Sequence, residues 1–233
     1  MWLNSEKITD SAIADYRETV LNSCPNNVVI DGLFDEARLD QVWRDLQLSS
    51  SWQTQRHTYS ALYVDQNQWQ KASREQRFVQ RDVWLRDAAG SDASNKALAF
   101  LSFLRGDEFM SLLSRIFNVT LTDLTVAEPD INTNYFRLSV DDFVEQHADD
   151  SPGRELCMLL YLNKHWNQDS GGELCFNSKV DDEPISIAPL FNRCVLFDPS
   201  SEGSEHWVKQ LNSDCSDDSD KYRYNVTSWY WSI

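Results

Sequence analysis

The chain has 233 residues, 41% of them hydrophobic and 12% aromatic, enough to bury a substantial core in one domain. Its formal net charge of −16 argues against nucleic acid as the main partner, because phosphate contacts need a basic face. No stretch is apolar for long enough to span a membrane, Met1 to Lys7 lacks a signal-peptide apolar region, and five cysteines form no metal-ligand spacing; the expectation is a reduced, soluble, cytoplasmic protein without membrane partners.

Residues 10 to 22 have a helical pattern with Ile13, Tyr16, Val20 and Leu21 on one side. Asn27 to Asp31 reads as a strand broken by Gly32. Asp35 can cap a helix that carries Leu39, Val42, Trp43 and Leu46. Residues 49 to 86 are polar, rich in aromatics and without clear period. Residues 94 to 105 and 107 to 117 read as helices separated by Gly106, and Thr120 to Ala127 as a strand.

Beyond residue 130 the pattern changes to short strands with turn signals between them. Leu156 to Asn163 is an apolar run, as a strand buried on both faces would be. Gly171-Gly172 is a turn feeding Glu173 to Phe176. Ile185 to Ile187, Arg193 to Asp198, Glu205 to Val208 and Tyr222 to Trp231 complete the set. This pattern predicts a mainly β fold, a sandwich or jelly-roll barrel, with flanking helices.

The chemistry is concentrated in His147-Ala148-Asp149, taken with His206 and Arg223. In an extended segment positions 147 and 149 point to the same side. Two histidines and one carboxylate are the ligand set of a non-haem Fe(II) site with open coordination positions. Arg223 supplies a fixed cation and a fork for a carboxylate. On a strand over 221 to 231 it shares a face with Asn225, Thr227 and Trp229, polar for a barrel interior unless a polar ligand sits there. Arg154 is the runner-up for a carboxylate clamp. Arg193 reads as structural, His165 as solvated, and His57 as a surface or lid residue. The acidic runs at 147–150 and 214–220, Asp149 apart, read as solvated loops without EF-hand spacing.

Tyr161 to Trp166, Gly171-Gly172, and Arg223-Tyr224 through Trp229-Tyr230 resemble the prolyl-hydroxylase branch of the Fe(II)/2-oxoglutarate oxygenases, including the hypoxia-inducible-factor prolyl hydroxylases and their bacterial relatives. The resemblance covers roughly the C-terminal hundred residues, in family order. It implies a double-stranded β-helix buttressed by helices, in one domain over 1–233. Residues 1–130 would be helical support and 131–233 the catalytic barrel. It implies His147, Asp149 and His206 as iron ligands. It implies Arg223 and Tyr161 as partners of the far 2-oxoglutarate carboxylate. Thr227 and Trp229 would wall the same pocket. Fe(II), 2-oxoglutarate and O2 are the implied cofactor and cosubstrates, with ascorbate as an optional auxiliary, and a protein or peptide is the implied substrate. By position, residues 49 to 86 are the candidate substrate lid, with an ordinary core-edge connection as the alternative.

Two places depart from the family pattern. Leu138 to Asp141 stands where a tyrosine and a glycine are usual, and Tyr135 is the nearest tyrosine that could assist near the iron. The interval from His206 to Arg223 is longer than usual, and the acidic run Ser213 to Asp220 accounts for the excess as a surface loop. The implied reaction is hydroxylation of a prolyl residue with release of succinate and CO2. The same chemistry on another residue or a small metabolite, and a non-catalytic binding or sensing barrel, are the alternatives.

Overall fold

The computed structural model describes residues 1–86, 95–124, 126, 129–178, 183–212 and 221–232. The helices start where short polar side chains satisfy free backbone N–H groups. Thr9 caps α1 (Asp10–Asn22) and Asp35 caps α2 (Glu36–Leu48). Asp65 and Gln68 form a capping box on α3 (Gln66–Lys71), and Asn95 caps α4 (Lys96–Leu104). Gly106 separates α4 from α5 (Asp107–Phe117), which ends on left-handed Asn118.

Twelve strands alternate with and follow these helices: β1 (Asn27–Asp31), β2 (Trp52–Thr58), β3 (Arg77–Trp84), β4 (Leu121–Thr122), β5 (Thr133–Leu138), β6 (Phe143–His147), β7 (Arg154–Tyr161), β8 (Leu174–Phe176), β9 (Ile185–Ile187), β10 (Arg193–Phe197), β11 (His206–Val208) and β12 (Arg223–Ser232). They form one antiparallel hydrogen-bonded path, β1-β10-β7-β12-β5-β3-β6-β11-β8-β9, with β2 on β3 and β4 on β12. The path folds back on itself. Cys157, Leu159 and Tyr161 of β7 pack with Leu174 and Phe176 of β8, Ile187 of β9, and Val195 and Phe197 of β10. This is the sandwich-like barrel expected from the strand pattern.

The apolar run in β7 follows from its place. Leu156, Met158 and Leu160 face the helical layer, and Cys157, Leu159 and Tyr161 face the barrel interior. In β12, Tyr224, Val226 and Tyr230 face the helices, so the alternate residues turn inward. The helical layer of α1, α2, α4 and α5 covers this outer face with Ile13, Leu39, Phe100 and Phe109, among others, buried.

Two expectations change against the structure, and a third falls on residues that it does not describe. The strand near residue 120 is only Leu121–Thr122. Residues 49–86, read as having no clear period, carry two strands: β2 and β3 pair along their length, and β3 pairs with β5 and β6. From this segment the barrel cavity is bordered by His57 to Tyr63 and by Phe78, Val79 and Arg81 of β3. The acidic run at 213–220 lies outside the described residues. No helix among the described residues is long and apolar enough to cross a membrane.

Candidate active site

A cavity of about 610 Å³ opens inside the barrel. Its walls come from β2, β3, β6, β11 and β12, and from the segment after β6. Strands β6 and β11 are antiparallel neighbours, and His147 stands directly opposite His206. Asp149 follows two residues after His147. The candidate ligand atoms of the three residues lie within 4.8 Å of one another. His147 Nε2 is 3.8 Å from Asp149 Oδ1, and His206 Nε2 is 3.8 Å from Asp149 Oδ2.

Both imidazoles are oriented from behind. His147 Nδ1 is 2.9 Å from the Glu145 carbonyl oxygen, and His206 Nδ1 is 3.0 Å from that of Ser204. A carbonyl oxygen can only accept, so each Nδ1 carries the proton and each Nε2 presents a lone pair. Asp149 Oδ2 accepts 2.8 Å from Trp229 Nε1, and the Cys157 thiol lies 3.7 Å away. Burial pushes the Asp149 carboxyl up, but His206, His147 and Trp229 outweigh it and hold the group below its ordinary value. Burial, reinforced by His206, pulls His147 down to about 4, so its imidazole is neutral at pH 7. Two imidazoles and one carboxylate on one point can hold a divalent transition metal and leave coordination positions free.

From that centre a polar row runs along the inner face of β12. Arg223 Nη1 donates to Asn225 Oδ1 (2.8 Å), and Asn225 Nδ2 donates to Thr227 Oγ1 (2.8 Å). Arg223 is 2% exposed, and its Nε donates to the Gly172 carbonyl oxygen at 2.6 Å. Its Nη2 has no acceptor among the described residues. Buried polar groups are nearly always paired, so this nitrogen marks a place for an acceptor from outside the chain. Gly172 makes room for the guanidinium stem. Its φ is +83°, and a Cβ there would stand 3.1 Å from Arg223 Cδ. Tyr161 is wholly buried behind Arg223, its ring centroid 4.9 Å from the guanidinium carbon. Its hydroxyl also lacks a partner of hydrogen-bond geometry, and burial pushes it up to about 12 despite the nearby cation.

Thus His147, Asp149 and His206 come together, and Arg223, Thr227 and Trp229 share the cavity wall as their alternation predicts. Tyr161 stands beside Arg223 rather than in the wall itself. Arg154 also lines the cavity; it donates to the backbone carbonyl of Asp149, lies over the rings of Trp229 and Trp231, and keeps a buried Nε without a partner among the described residues. Tyr135 is not at the centre. It is buried in the helix-side core and donates to the Ala97 carbonyl oxygen at 2.8 Å. Arg193 makes a two-point pair with Asp31, at 2.7 and 2.8 Å, and His165 is exposed. His57 is a correction: it is buried in the cavity wall, not on the surface.

Sequence reasoning missed Asn225 as the holder of Arg223, and Arg81, which also lines the cavity. The available signal was Val79-x-Arg81-x-Val83, an alternation that puts a cation on an apolar face once β3 is recognised as a strand.

Residues 133–231 match the 2OG-Fe(II) oxygenase superfamily, and this span contains every residue of the metal cluster and the β12 row. The C-terminal part of the chain is thus similar to that superfamily. The mouse protein named prolyl 3-hydroxylase OGFOD1 is 26% identical over 148 residues, which is 60% of this chain and 25% of that protein. The chain therefore spans about a quarter of the length of the curated relative it matches. Among solved structures, a prolyl hydroxylase from Trichoplax adhaerens, in complex with a hypoxia-inducible-factor peptide fragment, superposes with a TM-score of 0.64 at 20% identity, covering 96% of this chain and 94% of that one. A Pseudomonas putida prolyl-4-hydroxylase gives 0.59 at 13% identity, covering 95% and 99%. At these identities the solved structures establish the shared fold. The superfamily's double-stranded β-helix is the architecture described above.

Proposed function

We propose that this chain is an Fe(II)- and 2-oxoglutarate-dependent dioxygenase that hydroxylates a prolyl residue of a protein or peptide. O2 and 2-oxoglutarate are consumed, one oxygen atom enters the substrate C–H bond, and succinate and CO2 are released. The observation that carries this reading is a pair. A two-histidine, one-carboxylate cluster with both Nε2 atoms presented shares its cavity with a buried guanidinium nitrogen that lacks an acceptor. The prolyl specificity is supported by the likeness to OGFOD1 and to the solved prolyl hydroxylases.

In this reading His147, Asp149 and His206 hold Fe(II), which supplies the redox chemistry that joins O2 to 2-oxoglutarate. The carbonyls of Glu145 and Ser204 keep both imidazoles in the ligating tautomer, and Trp229 fixes the Asp149 carboxylate. Arg223 Nη2 and the Tyr161 hydroxyl receive the far carboxylate, with Asn225 and Gly172 aiming the guanidinium. Thr227 and Trp229 wall this pocket. The whole chain acts as one domain, residues 131–233 as the catalytic barrel and 1–130 as its support, with residues 58–63 covering the substrate. We place it in the cytoplasm, with ascorbate as an auxiliary reductant.

The test has two readouts. Wild type should release succinate when given Fe(II), ascorbate and 2-oxoglutarate, and cell extract should yield a proline-containing product heavier by one oxygen. His147→Ala, Asp149→Ala and His206→Ala should each abolish calorimetric Mn(II) binding, since two protein ligands are too few. Wild-type Mn(II) affinity in any one of them removes that residue from the ligand set. An added oxygen on a residue other than proline keeps the chemistry and overturns the substrate.

A further inference from the structure

Two donors in the cavity have no part in the chemistry proposed above. His57, on β2, is 5% exposed, and its Nδ1 accepts the backbone N–H of Tyr63 at 3.4 Å. The proton therefore sits on Nε2, and that buried N–H has no partner among the described residues. The contact comes at a conformational cost. Tyr63 has φ +54°, a left-handed backbone rarely adopted by an aromatic residue, and strain of this kind concentrates at ligand clamps. The His57 ring is held between Tyr63 and Phe78, and Phe78 in turn meets His147, at centroid distances of 4.8, 5.8 and 5.6 Å.

Arg81, on β3, is the second donor. Its Nε donates to Gln55 Oε1 at 3.3 Å, and its guanidinium lies 3.5 Å from the Phe136 ring centroid. Among the described residues no carboxylate forms an ion pair with it, and its two Nη groups have no acceptor. It is close enough to His57 for its charge to weigh on that imidazole, and both line the same cavity.

Charge accounting gives the ligand its sign. Asp149 is the single carboxylate among the lining residues, against Arg81, Arg154 and Arg223. A divalent ion and the dianion 2-oxoglutarate cancel each other. Arg154 lies 4.0 Å from Asp149, and Arg223 is reserved for the cosubstrate. Asp149 offsets one of the three guanidiniums and also acts on Arg81, so two net positive charges remain, on Arg81 and Arg223, in a chain whose net charge is −16. Arg81 is half-buried, and a cation facing a cavity favours an anion or hydrogen-bond acceptors there.

We infer that His57 and Arg81 together bind a carboxylate carried by the substrate to be hydroxylated. The carboxylate is either an acidic side chain close to the target residue or the free carboxylate of a small substrate. Arg81 supplies the charge and up to two N–H groups, and His57 Nε2–H a third donor from the neighbouring strand. The inference deepens the proposed function, because it relies on Arg223 being taken by 2-oxoglutarate.

The test uses the full chain loaded with Mn(II) and 2-oxoglutarate, which binds without turning over. One arm offers a degenerate peptide library with a fixed central proline and reads which flanking residues are retained. The other compares N-acetylproline with its amide. Wild type should retain peptides with Asp or Glu at a defined flanking position, or should bind N-acetylproline in preference to the amide. Whichever arm responds identifies the source of the carboxylate. Arg81→Gln should remove that preference, a loss of roughly tenfold or more. His57→Phe keeps the ring between Tyr63 and Phe78 and should weaken the preference less. Affinities for Mn(II) and 2-oxoglutarate should stay at the wild-type value in both. Absence of carboxylate preference in both arms, or its survival in Arg81→Gln, overturns the inference. So does a weakened 2-oxoglutarate affinity in Arg81→Gln, which would make Arg81 part of the cosubstrate clamp. If wild type binds neither Mn(II) nor 2-oxoglutarate, the proposed function fails, and the two arms still read the His57–Arg81 pair on the metal-free protein.

Discussion

Replacing Arg223 by lysine tests the carboxylate clamp with the charge kept. The guanidinium makes two hydrogen bonds to the protein, at 2.6 Å to Gly172 and 2.8 Å to Asn225, and still has Nη2 to offer. A lysine ammonium cannot occupy these three places at once. Two protein hydrogen bonds are weakened or lost, at about 0.5–1.5 kcal/mol each, so the variant should be less stable by about 1–3 kcal/mol. For a domain of this size that is a fall in Tm of roughly 2–12 °C. The cosubstrate loses one charge-assisted hydrogen bond, about 1.5–3 kcal/mol, and the 2-oxoglutarate requirement should rise roughly 10- to 150-fold. Calorimetric titration of the Mn(II)-loaded protein with 2-oxoglutarate reads the affinity, and scanning calorimetry the stability. Mn(II) affinity should not change. A folded Arg223→Lys protein with wild-type 2-oxoglutarate affinity would refute the clamp, and Arg81 would take its place as the cation to test.

Trp229→Phe should keep the packing of the wall but remove the N–H from Asp149 Oδ2, and weaken Mn(II) binding roughly 10- to 100-fold, as loss of an outer hydrogen bond to a ligand does; unchanged binding would show that the tryptophan only packs. Gly172→Ala should destabilise the protein by roughly 1–3 kcal/mol through its left-handed backbone and should raise the 2-oxoglutarate requirement by pressing on Arg223; a wild-type melting curve would count against the turn's role. The metal-free protein should lose stability on acidification. Burial holds His147 and His57 at about 4, whereas an unfolded histidine titrates near ~6.5, so the unfolded chain binds protons first as pH falls. The stability they contribute is present above about pH 6.5 and is lost between about 6.5 and 4. Melting scans across this window should show the fall, and His57→Phe should flatten part of it; a flat profile in wild type would contradict the burial of both rings.

How far the sequence carried these conclusions depended on local patterning. The helices announced themselves through Asp35, Gly106 and their apolar spacing, and β7 and β12 through an apolar run and a strict alternation. His147 and Asp149 were legible because two positions on one extended segment need no tertiary information. That His206 would stand opposite His147 is a matter of strand register, which short β11 does not encode by itself. β2 and β3 were hidden because β2 is largely polar and β3 mixes Arg81 and Asp82 with its apolar residues. Their partners are non-local, and pairing rather than propensity makes them strands. Of the two placements expected for His57, the surface one fails for the same reason, since its burial follows from the β2–β3 hairpin and from the turn at Tyr63. Nothing in a single sequence could show that Tyr135 points to the Ala97 carbonyl and not to the metal centre.

The last strand has a further consequence. Along β12, Arg223, Asn225, Thr227 and Trp229 belong to the chemistry, while Tyr224, Val226 and Tyr230 belong to the helical layer, where the Tyr230 hydroxyl donates to the Leu104 carbonyl oxygen at 2.9 Å. Slippage of this strand by a single residue would exchange the two sets and turn the site inside out. The aromatics under the helices therefore act as the pins of a lock, keeping the catalytic row at its proper phase from the far side of the sheet. A library confined to the inward positions could retune recognition without touching the pins. Loosening a helix well over a strand's width from the metal should, conversely, blur the aim of Arg223 before the protein unfolds.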